Sequence, residues 1–234
     1  MLPSRSMGHL STSNTQAVRA PAPHMPMPGP HKNNPMTNEE KQMDLSRYEF
    51  RTQPWFDASQ FRGFGAAIPM KTLVIHCFDP RATEVPHAVA KYLPDEVYPG
   101  EDIRDEAGNK VGSTRTLFTL TNGGGRAVDA LLAIATLDYL FQVQNVVVVH
   151  HSFCGASAFT AEQFTEWYKE RHGTDLTKFY DRQDLAVGHF DESIKRDIEL
   201  LRNSPVVPEH TNLYGCFYEI NSGELTEIVR DIPA

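Results

Sequence analysis

The chain has 234 residues, a formal net charge of -8 and a pI near 5.7. This length is enough for one substantial α/β domain with a hydrophobic core. The acidic balance argues against a nucleic-acid or anionic-membrane partner, because both need clustered Lys and Arg. No apolar run approaches the ~20 residues that cross a bilayer. Three cysteines do not make a disulfide framework, so we expect a reducing, cytoplasmic compartment.

Residues 1–45 differ in composition from the rest of the chain. They are rich in Pro, Met, Ser, Asn and His, and Glu39 is the first acidic residue. Low apolar content and many prolines predict a disordered tail. The missing acids, together with Arg5 and Arg19, are also compatible with a transit peptide and hence a mitochondrial location, although the prolines exclude a regular helix. Both interpretations stay open.

Residues 46–234 are predicted to form one domain that begins with an aromatic-rich arm over 46–70. We expect this arm to pack on the body of the domain or on a partner subunit. Apolar periodicity predicts five strands and four helices, with strands over 72–77, 116–121, 145–150, 213–220 and 224–229 and helices over 84–93, 126–141, 161–171 and 189–203. The predicted fold class is α/β, with a mainly parallel four- to five-stranded sheet flanked by helices and an antiparallel last strand.

Two short polar clusters directly follow β-branched, apolar runs. Cys77, Asp79 and Arg81 follow the first run, and His151 and Cys154 follow a run of four valines. Such runs predict buried parallel strands, whose carboxyl ends carry the chemistry of open α/β sheets. Thiolate sulfur and imidazole nitrogen suit tetrahedral Zn²⁺, and three protein ligands leave a fourth position open, as in catalytic sites. We therefore predict a zinc site of Cys77, His151 and Cys154.

The pattern Cys-x-Asp-x-Arg, followed downstream by His-x-x-Cys-Gly, resembles the β-class carbonic anhydrases. The sequence Thr121-Asn122-Gly123-Gly124-Gly125 lies where that family carries Arg-Asn-Ala-Gly, and the last two strands are also similar, so the resemblance covers residues 70–230. It implies a β-carbonic-anhydrase-like fold in which Cys77, His151 and Cys154 bind zinc. It also implies that Asp79 and Arg81 form a catalytic dyad.

The resemblance implies a carbonic anhydrase, which hydrates CO2 reversibly to bicarbonate and a proton by means of a zinc-bound hydroxide. Arg81 would hold the Asp79 carboxylate off the metal through a charge-assisted hydrogen bond. Asp79 would then accept a hydrogen bond from the hydroxide. A simple ion pair that fixes the loop is the alternative for these two residues. The resemblance also implies a homodimer or a dimer of dimers, with CO2 or bicarbonate as the small-molecule partner.

The sequence departs from the family pattern at several positions. Phe78 and Pro80 replace the serines of Cys-Ser-Asp-Ser-Arg, Thr121 replaces the arginine of Arg-Asn-Ala-Gly, and residues 101–115 form an extra stretch. These departures keep open a zinc hydrolase of carbonyl sulfide or of another small heterocumulene such as carbon disulfide. A non-catalytic zinc-binding member is a further alternative. A cysteine-nucleophile hydrolase is weaker, because two cysteines are redundant for one nucleophile.

Four further residues are considered for supporting roles. His76 and His150 precede the candidate ligands, and strand alternation turns their side chains to the opposite face, which favours core or supporting roles over ligation. Each of them, like His87, is also a candidate proton shuttle, because imidazole titrates near neutral pH. Cys216 is predicted to pack within a strand.

Overall fold

The structure is a computed structural model, and it describes residues 44–233. The predictions of a disordered tail or a transit peptide fall almost entirely on residues 1–43, which lie outside this range. In chain order the regular elements are β1 (Thr72–Cys77), α1 (Val85–Tyr92), β2 (Asp102–Arg104), β3 (Lys110–Ser113), β4 (Leu117–Asn122), α2 (Leu131–Phe141), β5 (Asn145–His151), α3 (Ala161–His172), α4 (Phe190–Asn203), β6 (Asn212–Tyr218) and β7 (Leu225–Asp231). Among the residues described, no helix is long and apolar enough to cross a membrane.

Five strands form one sheet in the order β4-β1-β5-β6-β7. β4, β1, β5 and β6 run parallel, and β7 pairs with β6 in the antiparallel sense. The predicted mainly parallel sheet with an antiparallel last strand is thus confirmed. The register places Cys77 beside Asn122 and His76 beside Val149. The carboxyl ends of β1, β4 and β5 therefore meet at one edge of the sheet.

The sheet is covered on both faces. On one face Leu73 and Ile75 of β1 pack with α2 and α4, and on the other face Val74 packs with α1. β5 contributes to both faces in the same alternating way, which is why β1 and β5 read as continuous apolar runs in the sequence. Burial on both faces holds the ends of these two strands in place.

All four predicted helices are present, and one of them, α2, begins later than predicted. α2 begins at Leu131 rather than at residue 126, because the chain first makes a short 3-10 turn over Val128–Ala130. α3 begins with a capping box, in which Thr160 and Gln163 each accept a hydrogen bond from the other's backbone N–H.

The extra stretch over 101–115 contains a hairpin that the sequence interpretation missed. β2 and β3 pair in the antiparallel sense as a separate two-stranded sheet. The Asp105 side chain accepts backbone hydrogen bonds from Ala107 and Asn109 and so stabilises the turn. No residue of either strand is fully buried, so the sequence carries no alternation of apolar and polar residues that would reveal the strands.

The aromatic-rich arm packs on the body of its own chain. Its rings form a continuous series of contacts that ends on α2, through Phe50, Trp55, Phe56, Phe61, Phe64, Tyr139 and Phe141. The backbone N–H of Phe64 donates to the Leu140 carbonyl at 2.7 Å. The arm is therefore attached at the carboxyl end of α2.

Candidate metal centre

Three side chains converge where β1 and β5 end. Cys77 is the last residue of β1, His151 is the last residue of β5, and Cys154 precedes a short 3-10 turn over Gly155–Ser157. Their donor atoms all lie within 4.8 Å of one another, and all three residues are buried. The two Sγ atoms are 3.9 Å apart. We call these residues the Cys-His-Cys cluster; the structure brings together all three side chains that the sequence singled out.

The His151 ring leaves one nitrogen free towards the cluster. Its Nδ1–H donates to the Ser152 carbonyl at 2.9 Å. Its Nε2 is buried and has no hydrogen-bond partner among the described residues. Burial lowers the pKa of His151, which favours the neutral ring. A neutral imidazole with one nitrogen anchored and the other free is what a metal-binding histidine requires.

The two thiols complete a donor set that fits a soft or borderline cation. Burial raises the pKa of the Cys154 thiol, so forming its thiolate requires a nearby positive charge. A metal ion supplies that charge and displaces the proton. Two sulfurs and one imidazole nitrogen suit Zn²⁺, and the orphaned Nε2 of His151 agrees with this fit.

Asp79 and Arg81 form a two-pronged ion pair beside the cluster. Arg81 donates from Nε to Oδ1 at 3.0 Å and from Nη2 to Oδ2 at 2.7 Å. Its backbone N–H also donates to Oδ1, at 2.9 Å. Pro80 stands at the first position of this turn, where a missing N–H costs nothing, so it leaves the pair intact. These hydrogen bonds hold the pKa of Asp79 well below its usual range.

The ion pair is directed at the cluster from its solvent side. Asp79 Oδ2 lies 4.0 Å from His151 Nε2, and the Asp79 side chain is 14% exposed. Arg81 Nη2 donates further to the Phe153 carbonyl at 3.0 Å, which ties the turn after β1 to the turn after β5. The cluster thus has an ionised carboxylate at its open edge.

The glycine turn after β4 packs directly on the strands that carry the cluster. Gly125 has φ +71°, and a Cβ there would lie 2.7 Å from the Val149 carbonyl oxygen and 3.1 Å from the Cys77 nitrogen. Only glycine fits this approach without displacing backbone. Within the triple glycine, which alone is weak evidence in a sequence, Gly125 is therefore the residue that this close packing against β1 and β5 requires.

Two phenylalanines stand at the rim of the cluster. Phe78 is 68% exposed and Phe153 is 70% exposed, and each adjoins a residue of the cluster or of the ion pair in the chain. Phe153 holds a left-handed backbone conformation with φ +55°. The Phe78 ring lies over Gly123 of the glycine turn. Exposed apolar side chains therefore lie next in the chain to Cys77 and Cys154.

The supporting histidines lie where strand alternation puts them. His76 contacts the Cys77 carbonyl through Nδ1 at 3.0 Å, and His150 donates through Nε2 to Asp197 of α4 at 2.9 Å. Neither belongs to the Cys-His-Cys cluster. His87 lies 3.2 Å from Glu84 and packs edge-on against Tyr98. Cys216 is fully buried in β6, as expected.

The residues that the sequence interpretation missed are Asp197, the partner of His150, and Arg126, the partner of Asp197. Asp197 is fully buried and pairs with Arg126, which precedes α2. A signal for Asp197 does exist in the sequence. It lies three residues after Ile194 and four before Leu201, on the apolar stripe of α4, where an unpaired carboxylate would be costly. Nothing in the sequence identifies Arg126 as its partner.

No protein-family model matches the sequence. Carbon disulfide hydrolase of Acidithiobacillus thiooxidans is 26% identical over 137 residues, which cover 52% of this chain and 68% of that enzyme. β-Carbonic anhydrase 1 of Mycobacterium bovis is 24% identical over 100 residues, which cover 43% of this chain and 59% of that protein. The matches therefore span about three fifths to two thirds of the length of these relatives.

A solved structure agrees with these relatives. The crystal structure of a carbonic anhydrase from Streptococcus mutans matches with a TM-score of 0.50 and 26% sequence identity, over 68% of this chain and 81% of that chain. The matching structure has the fold described above, and the family expected from the sequence motifs is the one that these comparisons return. Together these similarities support a divergent member of the β-carbonic anhydrase family.

Proposed function

We propose that Cys77, His151 and Cys154 bind Zn²⁺ and that the chain hydrates CO2 reversibly to bicarbonate and a proton. One observation carries this proposal: a carboxylate held by an arginine lies 4.0 Å from the free nitrogen of a buried Cys-His-Cys cluster. A structural zinc site needs no such carboxylate. Similarity to β-carbonic anhydrase 1 supports the same activity.

When bound, zinc makes hydroxide available at neutral pH by lowering the pKa of water to about 7. Three side chains of the protein, Arg81, Asp79 and His151, would orient the reacting groups. Arg81 occupies both oxygens of Asp79, which keeps the carboxylate ionised and keeps it from moving into the cluster. Asp79 then acts as a fixed acceptor that orients the attacking oxygen nucleophile. His151 keeps its ring orientation through its hydrogen bond to Ser152.

Carbon disulfide is a second candidate substrate on the same site. Phe78 and Phe153, which adjoin Cys77 and Cys154 in the chain, are exposed, and apolar side chains beside a site favour an uncharged, apolar substrate. Similarity to carbon disulfide hydrolase of Acidithiobacillus thiooxidans supports this candidate equally. The reaction consumes two water molecules for each carbon disulfide and gives one CO2 and two molecules of hydrogen sulfide. Carbonyl sulfide would follow the same route with one water and release one hydrogen sulfide.

A second copy of the chain is also part of the proposal. Leu132 and Tyr139 of α2 are 80% and 70% exposed, and they lie on the helix that carries the arm. Such an apolar face on a helix supports a homodimer or a dimer of dimers. Sedimentation velocity measures this state directly; a monomer at micromolar concentration would contradict the proposal.

The cytoplasmic location remains a prediction, supported by three free cysteines.

The test is a substrate comparison on zinc-loaded protein. Stopped-flow proton release measures CO2 hydration at pH 7 to 9, and sulfide release measures hydrolysis of carbon disulfide and carbonyl sulfide. Cys154→Ser, which lacks one of the proposed ligands, is the control for background turnover. Protein that carries stoichiometric zinc and turns over none of the three substrates would refute an enzymatic role and leave the non-catalytic alternative.

A further inference from the structure

Asp197 is a buried carboxylate that joins three parts of the fold. It lies on α4, is 0% exposed and accepts the Nε2 hydrogen bond of His150 at 2.9 Å. It also accepts from Arg126 Nε at 3.1 Å and from the Ala127 backbone N–H at 3.3 Å. His150 is the residue before His151, so this one carboxylate links α4 to the end of β5 and to the chain leaving the glycine turn.

Arg126 extends the linkage to the segment over residues 183–187, which is hydrogen-bonded to the turn after Cys154. Its guanidinium donates to the carbonyls of Ala186 at 2.6 Å and Gln183 at 3.0 Å. The neighbouring Val187 N–H donates to the Ala156 carbonyl at 3.0 Å, two residues beyond Cys154. The backbone of Arg126 exchanges hydrogen bonds with the Asn122 side chain at 2.7 and 2.8 Å.

Short series of contacts therefore connect the Asp197–Arg126 ion pair to each residue of the Cys-His-Cys cluster. Cys77 is reached through Asn122, its neighbour across the β1–β4 register. His151 is reached through His150, and Cys154 through Ala156. An ion pair that only stabilised the core would not need contacts to all three segments that carry Cys77, His151 and Cys154. Buried charges are also costly unless every hydrogen bond is made, so the geometry of this pair is narrowly defined.

We propose that Asp197 and Arg126 are positioning residues that set the spacing of Cys77, His151 and Cys154. Neither touches the cluster itself. Both act through the backbone segments that carry it, as the outer hydrogen-bond partners of metal ligands commonly do. This inference rests on the proposed metal site, not on the choice of substrate.

The chain contains a matched control for this pair at the opposite edge of the sheet. Arg202, also on α4, donates from Nε to Asp231 at 2.9 Å and to the carbonyls of Thr211 and Glu209 at 2.8 and 3.0 Å. Like Arg126, it contacts a carboxylate and at least two backbone carbonyls. Arg126 also lies 3.5 Å from the Asp184 carboxylate, and Arg202 also donates to the Asp231 carbonyl at 3.2 Å. None of its partners lies in a segment that carries the cluster.

The experiment titrates the metal-free protein with Co²⁺ and records both the affinity and the d–d absorption bands. Variants Arg126→Lys and Asp197→Asn are compared with Arg202→Lys and Asp231→Asn, and thermal unfolding is measured for all four. We expect the first two to bind Co²⁺ about 10-fold or more weakly and to shift the absorption bands. We expect the two controls to keep the wild-type affinity and spectrum even where they unfold at lower temperature.

Two results would overturn the proposal: wild-type affinity and spectrum in Arg126→Lys, or the same loss in Arg202→Lys. If Asp197→Asn does not fold, Arg126→Lys decides the question, because it keeps the charge and loses only the multiple contacts. Neither readout depends on turnover. A protein with normal Co²⁺ binding and no activity contradicts the proposed function alone, whereas a wild-type protein that binds no Co²⁺ contradicts both.

Discussion

The Arg81 guanidinium contacts both carboxylate oxygens of Asp79, and the Oδ2 atom of that carboxylate lies 4.0 Å from His151 Nε2. A free carboxylate at this distance from two thiols and an imidazole would itself be a ligand for a cation. The arginine engages the lone pairs that such ligation would need. By holding Asp79, Arg81 thus leaves the fourth ligand position of the metal site open; without it, Asp79 would fill that position.

Replacing Arg81 tests this restraint. In Arg81→Gln the carboxylate loses its two-pronged partner, and we expect turnover of CO2 or carbon disulfide to fall about 10²-fold or more with the metal retained. The d–d spectrum of the Co²⁺ form should also change as Asp79 enters the coordination sphere. Arg182→Gln removes a surface pair with Glu162 at 3.1 Å and serves as the control. Unchanged turnover in Arg81→Gln would show that the pair only fixes the loop.

Metal removal should lower stability through mass action. Zinc that binds only the folded chain adds about 2.7 kcal/mol to the free energy of unfolding when its free concentration is 100 times Kd. Chelation should therefore lower Tm, and added zinc should restore it. Cys154→Ser should lose this zinc-dependent shift, and Cys216→Ser, a buried thiol outside the cluster, should keep it. A full zinc-dependent shift in Cys154→Ser would remove Cys154 from the site.

Alanine substitutions at two glycines with similar φ angles distinguish the cost of backbone strain from the cost of close packing. Gly108 has φ +85° and open space around it, whereas Gly125 has φ +71° and backbone atoms of Val149 and Cys77 within reach of any Cβ. Gly108→Ala should cost about 1 kcal/mol from the left-handed backbone alone. Gly125→Ala should cost a further ~1–3 kcal/mol for overpacking and should weaken zinc binding. Urea unfolding measures the loss in free energy of unfolding for both variants. Equal losses would mean that Gly125 is not closely packed against β1 and β5.

Acid should unfold the protein partly through Glu219. Backbone hydrogen bonds from Ser222 and Asn221 lower the pKa of Glu219 to about 2. A carboxyl whose pKa is lower in the folded chain stabilises it above the unfolded pKa, near 4.5, and loses that contribution as the pH falls towards 2.

Glu219→Gln should therefore remove part of the pH dependence of the free energy of unfolding between pH 4.5 and 2. The comparison is made by urea unfolding across this range, with Glu199→Gln, at an exposed position on α4, as the control. An unchanged slope in Glu219→Gln would place the acid sensitivity elsewhere.

The sequence was sufficient for the parts of the fold that depend on local pattern. Continuous apolar runs predict β1 and β5 because both strands are buried on two faces, and polar residues after buried strands predict a site at their shared edge. Cys77, His151 and Cys154 could thus be brought together without a structure.

The missing parts depend on contacts between distant residues or on surface structure. Arg126 and Asp197 are 71 residues apart, and no local pattern links them. β2 is exposed and β3 is at most half-buried, so neither strand carries a buried-face periodicity. The exposure of Phe78 and Phe153 likewise follows from how the two turns pack, not from residue type.

Zinc content and turnover, measured in the wild-type protein and in Asp79→Asn, test the role of the carboxylate most directly. We expect one zinc ion per chain in both and turnover of CO2 or carbon disulfide in the wild type. We expect turnover to fall about 10² to 10⁴-fold in the variant, because the amide cannot act as the ionised acceptor. A variant that keeps both its zinc and its turnover would contradict a catalytic role for Asp79 and an open, carboxylate-assisted metal centre.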